Sequence, residues 1–368
     1  MEGMMELGER VDAVIDAALG SRIVGCVVLI HEHGKRVYAR AAGFADREAG
    51  TPVREDTIFR LASVTKPIVA AAALRAMDAG LLSLDDPVTK YLPWFAPKAP
   101  DGTTPQILIR HLLTHTSGLS YSDIPDDVSR GSDNRPLVPL EENLRRLSRA
   151  PLVFAPGTAW RYGMSIDVLG GVLGAIEGNV SDLEAALRKH VLDPLSMDDT
   201  RFTPTDPSRL ATPYGDGTPV PLRMSDPQTM RNGNGEISVM SPGRIFRPEA
   251  AQSGGSGLCG TAGDFMRVLD AMQTDFLAPA THSSAFAVQA AGLPMDRPGQ
   301  FFSFMGAVVT DPTASGWPRR GLVQWGGIWG NNWMHDPATG TSLVVYTNTM
   351  WEGCNGPFRD QMRDAVYG

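Results

Sequence analysis

Segments with the pattern of β-strands lie near both ends of the 368-residue chain, and a long middle region of different character separates them. Residues 23–31 are rich in β-branched side chains, a turn with glycine follows, and residues 36–42 alternate, which predicts a β-hairpin. Four more strand-like runs lie towards the other end, at 301–309, 321–325, 332–335 and 341–348. Because hairpins pair antiparallel, both ends of the chain are expected to contribute to one antiparallel sheet.

Helical patterns accompany these strands. An alanine-rich stretch runs from residue 63 to 79 and stops at Gly80, and further helices are predicted at 261–272 and 357–367. The predicted fold class is therefore α/β of the α+β type, with an antiparallel sheet flanked by N- and C-terminal helices.

The middle of the chain predicts a second unit. Prolines, irregular connections and short helical stretches at 143–150, 165–177 and 182–192 prevail there. We therefore predict two domains. Residues 1–85 together with 251–368 form the α/β domain, and residues 86–250 form a mostly helical inserted domain, with the active site in the cleft between them.

Composition excludes several classes of function. The net charge is −8, the pI is about 5.4 and no basic run stands out, so nucleic acid is not expected as a partner. The three cysteines, Cys26, Cys259 and Cys354, are odd in number and far apart, which argues against a disulfide framework or a zinc site. No apolar run is long enough to span a membrane, and the acidic N-terminus lacks secretory features, so a cytoplasmic location is expected.

Ser63 and Lys66 form an S-x-x-K motif at the predicted start of a helix. Residues three apart lie on the same face of a helix, so the amine can reach the hydroxyl. Serine is a weak nucleophile that needs a nearby base, and free N–H groups at a helix N-terminus stabilise negative charge. A lysine can act as that base if burial and nearby positive charge lower its pKa. In isolation the motif also fits an N-cap serine followed by a surface lysine.

Five segments together carry a resemblance to the serine β-lactamase and penicillin-binding-protein family. They are FRLASVTKPIVAAAALRAMDAGLLSLDDPVTKYLP at 59–93, ILIRHLLTHTSGL at 107–119, WRYGMSIDVLGGVL at 160–173, GGSGLCGTAGDFMRVL at 254–269 and QWGGIWGNNWMHDPATG at 324–340. The resemblance implies that Ser63 is the nucleophile and that Lys66 and Tyr162 handle protons. It implies no cofactor and no metal.

Two departures from the family's motifs narrow the expected substrate. The family's Tyr-x-Asn motif is Tyr162-Gly163-Met164 here, so the asparagine that contacts a substrate amide is absent. Its Lys-Thr-Gly triplet is replaced by Trp325-Gly326-Gly327, which removes a cation that would pair with a β-lactam carboxylate. The Trp-Gly-Gly variant is most similar to the family VIII carboxylesterases, so a small-molecule ester is the expected substrate.

The resemblance also implies where the substrate is held. The backbone N–H groups of Ser63 and Ile328 would form the oxyanion hole, and Trp325, Gly326 and Gly327 would line the binding edge. Tyr121 is a candidate pocket residue, although a surface loop tyrosine is an equal alternative. The tryptophans at 325, 329 and 333 could equally be core aromatics.

Other catalytic arrangements find less support in the sequence. No G-x-S-x-G elbow accompanies the seven histidines, and His115 is interpreted as a residue that holds a turn by hydrogen bonds. The pair His31 and His33 has no evident third ligand, so no metal site is expected.

Three alternatives to ester hydrolysis remain open. An acyltransferase would use the same residues, an amide or β-lactam hydrolase would share the fold, and a non-catalytic binding protein would need no reactive serine. The sequence does not define the oligomeric state, the acyl chain length or the role of residues 203–250, which are expected to shape the pocket.

Overall fold

A computed structural model of the chain describes residues 2–122, 124–231 and 237–368. Its helices are α1 (Glu2–Ala18), α2 (Thr65–Asp78), α3 (Ile109–Leu113), α4 (Leu140–Leu147), α5 (Ser165–Ile176), α6 (Leu183–Leu187), α7 (Ala262–Ala271), α8 (Pro279–Ala285), α9 (Pro312–Ser315), α10 (Met350–Cys354) and α11 (Pro357–Tyr367).

The strands fall into one large sheet and three small ladders. They are β1 (Gly25–Glu32), β2 (Lys35–Asp46), β3 (Thr51–Pro52), β4 (Phe59–Arg60), β5 (Tyr214–Gly215), β6 (Leu222–Arg223), β7 (Gln228–Arg231), β8 (Ile237–Met240), β9 (Cys259–Gly260), β10 (Gln300–Phe302), β11 (Ala307–Val309), β12 (Val323–Gly327), β13 (Asn331–Asp336) and β14 (Thr341–Thr347).

The eight strands of the large sheet are all antiparallel, in the order β10-β11-β12-β13-β14-β1-β2-β3. At its centre β1 pairs with β14, with Cys26 opposite Thr347 and Glu32 opposite Thr341. The two ends of the chain therefore meet in one sheet, and the predicted fold class is confirmed.

Helices cover both faces of this sheet. Along β1, Val28 and Ile30 face α1 and α11, whereas Val27 and Leu29 face the core that contains α2. Helix α2 is buried along almost its whole length, and its run of alanines allows close approach on every side. This central position fixes the turn just before α2, where Ser63 lies.

Two parts of the chain differ from the sequence-based expectation. The middle region contains the short ladders β5–β6 and β7–β8 as well as helices. These ladders were not predicted, because strands of two to four residues are too short to show a periodic pattern in the sequence. Residues 301–309 form two strands instead of one. Ser303 turns the chain between them, and its hydroxyl bonds the backbone of Met305 and Gly306.

The packing of α11 generates a stability prediction. Phe358 is fully buried against α1 and the sheet. We expect Phe358→Ala to lower the free energy of unfolding by about 3–5 kcal/mol, because it leaves a cavity in a close-packed layer. Urea denaturation measures this, with Leu222→Ala as the control, since Leu222 is 63% exposed. Equal losses for the two variants would contradict the proposed layer.

Candidate active site

Ser63 lies in a single 3₁₀ turn, Ala62–Val64, which leads directly into α2. Ala62 adopts a positive φ of 44°, a conformation that non-glycine residues rarely take and that the surrounding structure must enforce. The end of β12 holds this turn from one side. A Cβ on Gly327 would lie 2.1 Å from the Leu61 carbonyl oxygen, so only glycine allows the contact.

The Lys66 side chain is a buried ammonium group with three oxygen acceptors. Its Nζ donates to the Ser63 hydroxyl at 3.2 Å, the Tyr121 hydroxyl at 3.2 Å and the Gly255 carbonyl at 2.6 Å. An ammonium group has three N–H donors, so each is matched by an acceptor. Only 4% of the residue is exposed.

The groups around Lys66 determine the charge of its amine. Burial alone would lower the pKa of Lys66, but Tyr121, Tyr162 and Asp167 favour the charged form and outweigh it, so the pKa of Lys66 is raised. A role as base would require nearby positive charge to lower this pKa, but the neighbours that decide it are oxygens and not cations. The amine is held as a cation in the resting protein.

Tyr162 completes the contacts of the serine hydroxyl. Its phenol donates to the Ser63 hydroxyl at 2.8 Å and accepts from the Trp325 indole N–H at 3.2 Å. The Lys66 Nζ lies 4.6 Å from the centroid of its ring. The structure thus brings the side chains at 63, 66 and 162 together.

Tyr121 also belongs to this cluster. Its ring meets that of Tyr162 edge-on at 5.5 Å, and its hydroxyl contacts Lys66. Burial is the main cause that raises the pKa of Tyr121, and Lys66 opposes the rise, so its hydroxyl stays protonated. The surface-loop alternative for this residue is therefore wrong.

Asp167 is a polar residue of the site that the sequence analysis missed. It is fully buried on α5, where its carboxylate accepts from the Ser253 hydroxyl at 2.5 Å and from the Gly255 N–H at 3.3 Å. A Cβ on Gly255 would lie 2.4 Å from this carboxylate. Asp167 therefore holds the glycine whose carbonyl receives Lys66. The sequence feature that could have identified Asp167 is a single acidic residue within the largely apolar segment SIDVLGGVLGAI.

His115 does not hold its turn in the way that the sequence analysis expected. Both ring nitrogens are buried, and neither has a hydrogen-bond partner among the described residues. The turn is held by backbone bonds instead, from His115 N–H to the Leu112 carbonyl and from Arg161 N–H to the His115 carbonyl. The ring packs 4.8 Å from that of Tyr162 and is part of an aromatic wall. Burial, reinforced by the Lys66 cation, keeps its pKa well below the usual value.

The segment Trp325-Gly326-Gly327 lies on β12, and Ile328 follows it at the turn to β13. Trp325 faces Tyr162 and is 6% exposed. Of the other two tryptophans in this series, Trp333 is a core residue against Phe265. The side chain of Trp329 packs with methionines in a separate cluster.

That cluster connects residues 203–250 to the nucleophile. Within it, Ala62 and Ile328 contact Trp329 and a set of methionines: Met224, Met230, Met240 and Met350. Methionine is flexible and adapts to different apolar shapes. Residues 232–236 of this segment lie outside the described residues.

Several other expectations concern chemistry away from this cluster. Among the described residues, no group of three or more His, Cys, Asp or Glu could hold a metal ion, and His31 bonds Asp270 at 2.8 Å. The three cysteines are buried and unpaired. No helix in the described ranges is long and apolar enough to cross a bilayer.

The chain is similar to known proteins over nearly its whole length. A family model described as Beta-lactamase matches residues 11–361. The chain is 46% identical to Esterase EstB of Burkholderia gladioli, over 98% of this chain and 95% of the relative.

Solved structures show the same likeness. The chain superposes on EstCE1, described as a hydrolase with promiscuous acyltransferase activity, with a TM-score of 0.93, 37% identity and full coverage of both chains. It also superposes on the LovD6 mutant of simvastatin synthase from Aspergillus terreus, with a TM-score of 0.71, 25% identity and coverage of 97% of this chain and 93% of the other.

The buried carboxyl generates a prediction about pH. Burial raises the pKa of Asp167, although Lys66 and hydrogen bonds oppose the rise, so the folded protein holds this proton more tightly than the unfolded chain. The resulting stabilisation is complete below the unfolded pKa of about 4 and is lost as the pH rises through the folded value. We therefore expect the stability of Asp167→Asn relative to wild type to increase as the pH rises above about 4.

Urea denaturation of both proteins across that pH range checks this expectation. Asp193→Asn is the control for removal of one carboxylate, because the Asp193 side chain is 53% exposed. A difference between wild type and Asp167→Asn that does not vary with pH would contradict the prediction.

Proposed function

The chain belongs to the beta-lactamase family, and on this basis we propose that it is a serine hydrolase that cleaves carboxylic esters through an acyl-enzyme on Ser63. The observation that carries the proposal is the convergence on the Ser63 hydroxyl of the Tyr162 phenol at 2.8 Å and the Lys66 amine at 3.2 Å. A relative 46% identical over nearly the whole chain is named an esterase, which supports this choice of substrate class.

Tyr162 is the proton acceptor in the proposed first step. Because the phenol donates to Ser63 in the resting structure, it first releases that proton to solvent; its oxygen then takes the proton of the Ser63 hydroxyl as the serine oxygen attacks the ester carbonyl carbon. The Trp325 N–H donates to the phenol oxygen, and the Lys66 ammonium lies 4.6 Å from the centre of the Tyr162 ring, so a donor and a cation both face this group. Lys66 therefore acts as a fixed cation in this proposal and does not itself accept the proton.

The remaining steps return each group to its starting state. The oxyanion is stabilised by the backbone N–H groups of Ser63 and Ile328, and one such donor contributes about 3 kcal/mol to the transition state. The carbonyl reforms as the alcohol leaves with the proton from Tyr162. Water then attacks the acyl-enzyme, gives its proton to Tyr162 and releases the acid, and Ser63 regains its proton.

The side chains of the site come from both proposed domains, which supports a site in the cleft between them. Ser63, Lys66 and Trp325 come from the unit formed by residues 1–85 and 251–368. Tyr162 and Tyr121 come from the unit formed by residues 86–250. We propose that closure of these two walls around the substrate excludes water from the reacting atoms.

An ester is favoured over a β-lactam by the side chains beside the serine. Trp325 occupies the position at which lactamases carry a lysine, and Met164 the position of their asparagine. The methionines around Trp329 and Ile328 offer an adaptable apolar surface for part of the ester. A proposed cytoplasmic location agrees with three buried, unpaired cysteines and is open to subcellular fractionation.

Two substitutions test the proposed catalytic set. With 4-nitrophenyl butyrate, we expect Ser63→Ala to lower kcat/KM by at least about 1000-fold, and Tyr162→Phe by about 100-fold to 10,000-fold. The wild type should gain the mass of one acyl group at Ser63 in intact-mass spectra, and Ser63→Ala should gain none.

The control for these variants is Ser283→Ala, since Ser283 is an exposed serine on α8. Full activity in Ser63→Ala would refute the nucleophile. A wild type that does not react with a fluorophosphonate probe would support a non-catalytic binding protein instead. Faster turnover of a cephalosporin ring than of simple esters would support the lactamase alternative.

Acyl transfer is a second candidate function, because EstCE1 is described as having promiscuous acyltransferase activity. The same residues would serve, with an alcohol in place of water. We expect added 1-butanol to divert part of the acyl-enzyme from 4-nitrophenyl butyrate into butyl butyrate, which gas chromatography would detect. Formation of acid alone at every butanol concentration would rule out this second activity.

A further inference from the structure

A cation with no hydrogen-bond or ion-pair partner among the described residues lies over the ring of Trp325. The guanidinium carbon of Arg297 is 4.7 Å from the centroid of the Trp325 ring. The indole N–H of the same Trp325 bonds Tyr162, which in turn bonds Ser63. One aromatic side chain therefore contacts both this cation and the proposed proton acceptor.

The guanidinium of Arg297 has unused hydrogen-bonding capacity. In the described ranges, no hydrogen bond or ion pair forms with this side chain, which is partly buried. Other buried arginines behave differently. Arg60 donates to the carbonyls of Ala211 and Pro242, and the N–H groups of Arg244 bond three carbonyls. A planar guanidinium offers five N–H donors in a geometry that matches a carboxylate.

The electrostatics of this place favour an anion. Burial, and then repulsion from the Arg359 cation, lower the pKa of Arg297, and Cys354, Asp296 and Tyr162 oppose this only in part. A bound carboxylate would compensate the positive charge of Arg297, because a charge-assisted hydrogen bond is stronger where water is partly excluded. The chain as a whole carries a net charge of −8, so this local positive charge contrasts with the protein's average.

We propose that Arg297 forms a carboxylate subsite, so that the preferred substrate is an ester that also carries a free carboxylate group. The inference rests on the proposed ester hydrolysis and specifies its substrate class. The guanidinium comes from the connection between α8 and β10, at a different place from the triplet Trp325-Gly326-Gly327. The Trp325 ring, which contacts both this cation and Tyr162, sets the distance between the charged end and the reacting carbonyl.

A pair of esters of equal length tests the subsite. Mono-4-nitrophenyl adipate carries a terminal carboxylate, and 4-nitrophenyl hexanoate has the same chain length without it. The measured quantity is the ratio of the two kcat/KM values, after subtraction of uncatalysed hydrolysis. We expect Arg297→Gln to lower the ratio of adipate to hexanoate about tenfold, and Arg297→Lys to retain part of it.

Two controls distinguish a direct charge effect from a structural one. Arg320→Gln removes an exposed arginine just before β12 and should leave the ratio at the wild-type value. Added salt should lower the wild-type ratio and have little effect on that of Arg297→Gln, because it screens only a charge that is present. If Arg297 merely supported Trp325, its loss would slow both esters alike and leave the ratio unchanged.

The outcomes separate this inference from the function on which it rests. Turnover of the hexanoate ester with an unchanged ratio in Arg297→Gln would overturn the carboxylate subsite and leave the esterase intact. If neither ester forms an acyl-enzyme on Ser63 of the wild type, the proposed function itself fails. A lowered ratio in Arg297→Gln but not in Arg320→Gln supports the subsite.

Discussion

The buried ammonium group of Lys66 is the interaction on which the site depends. A charge removed from water destabilises a protein unless hydrogen bonds and nearby negative atoms compensate for it. Here the compensation comes from separate parts of the chain: the turn before α2, the loop at Tyr121 and the loop at Gly255. The same bonds that satisfy the lysine therefore fix these three segments relative to one another.

Further residues hold the groups around Lys66 in place. Asp167 holds Gly255 from the far side, and Tyr162 is placed between the lysine and an aromatic wall that includes His115 and Trp325. Such a wall excludes water and leaves the phenol oxygen with a small number of defined partners. The His115 ring nitrogens have no hydrogen-bond partner among the described residues, and the imidazole serves here as one more ring of the wall.

Much of the fold could be predicted because long, regular segments leave a clear pattern. The hairpin of β1 and β2 and the helix α11 follow from alternation and helical spacing, and the predicted bounds of α11 match the structure. The ladders β5–β6 and β7–β8 could not be predicted, since a few residues of strand depend on tertiary neighbours.

Some residues of the candidate site could be predicted from the sequence, and others could not. Ser63 and Lys66 were predictable as a local motif, and the family resemblance pointed to Tyr162. Contacts such as Asp167 to Gly255 or Arg297 to Trp325 join residues that are distant in sequence. The charge state of Lys66 could not be predicted for the same reason, because the oxygens that decide it come from elsewhere in the chain.

The pairing of β1 with β14 has a consequence for biosynthesis. A polypeptide leaves the ribosome from its N-terminus, so the hairpin of β1 and β2 emerges early and has one unpaired edge until the segment at 341–347 is made. Contacts between distant segments form slowly, and an exposed edge invites association with other chains. Assembly of the surroundings of Ser63 must therefore wait until residues 341–347 have been made, which gives the nascent chain a long interval in which chaperone protection matters.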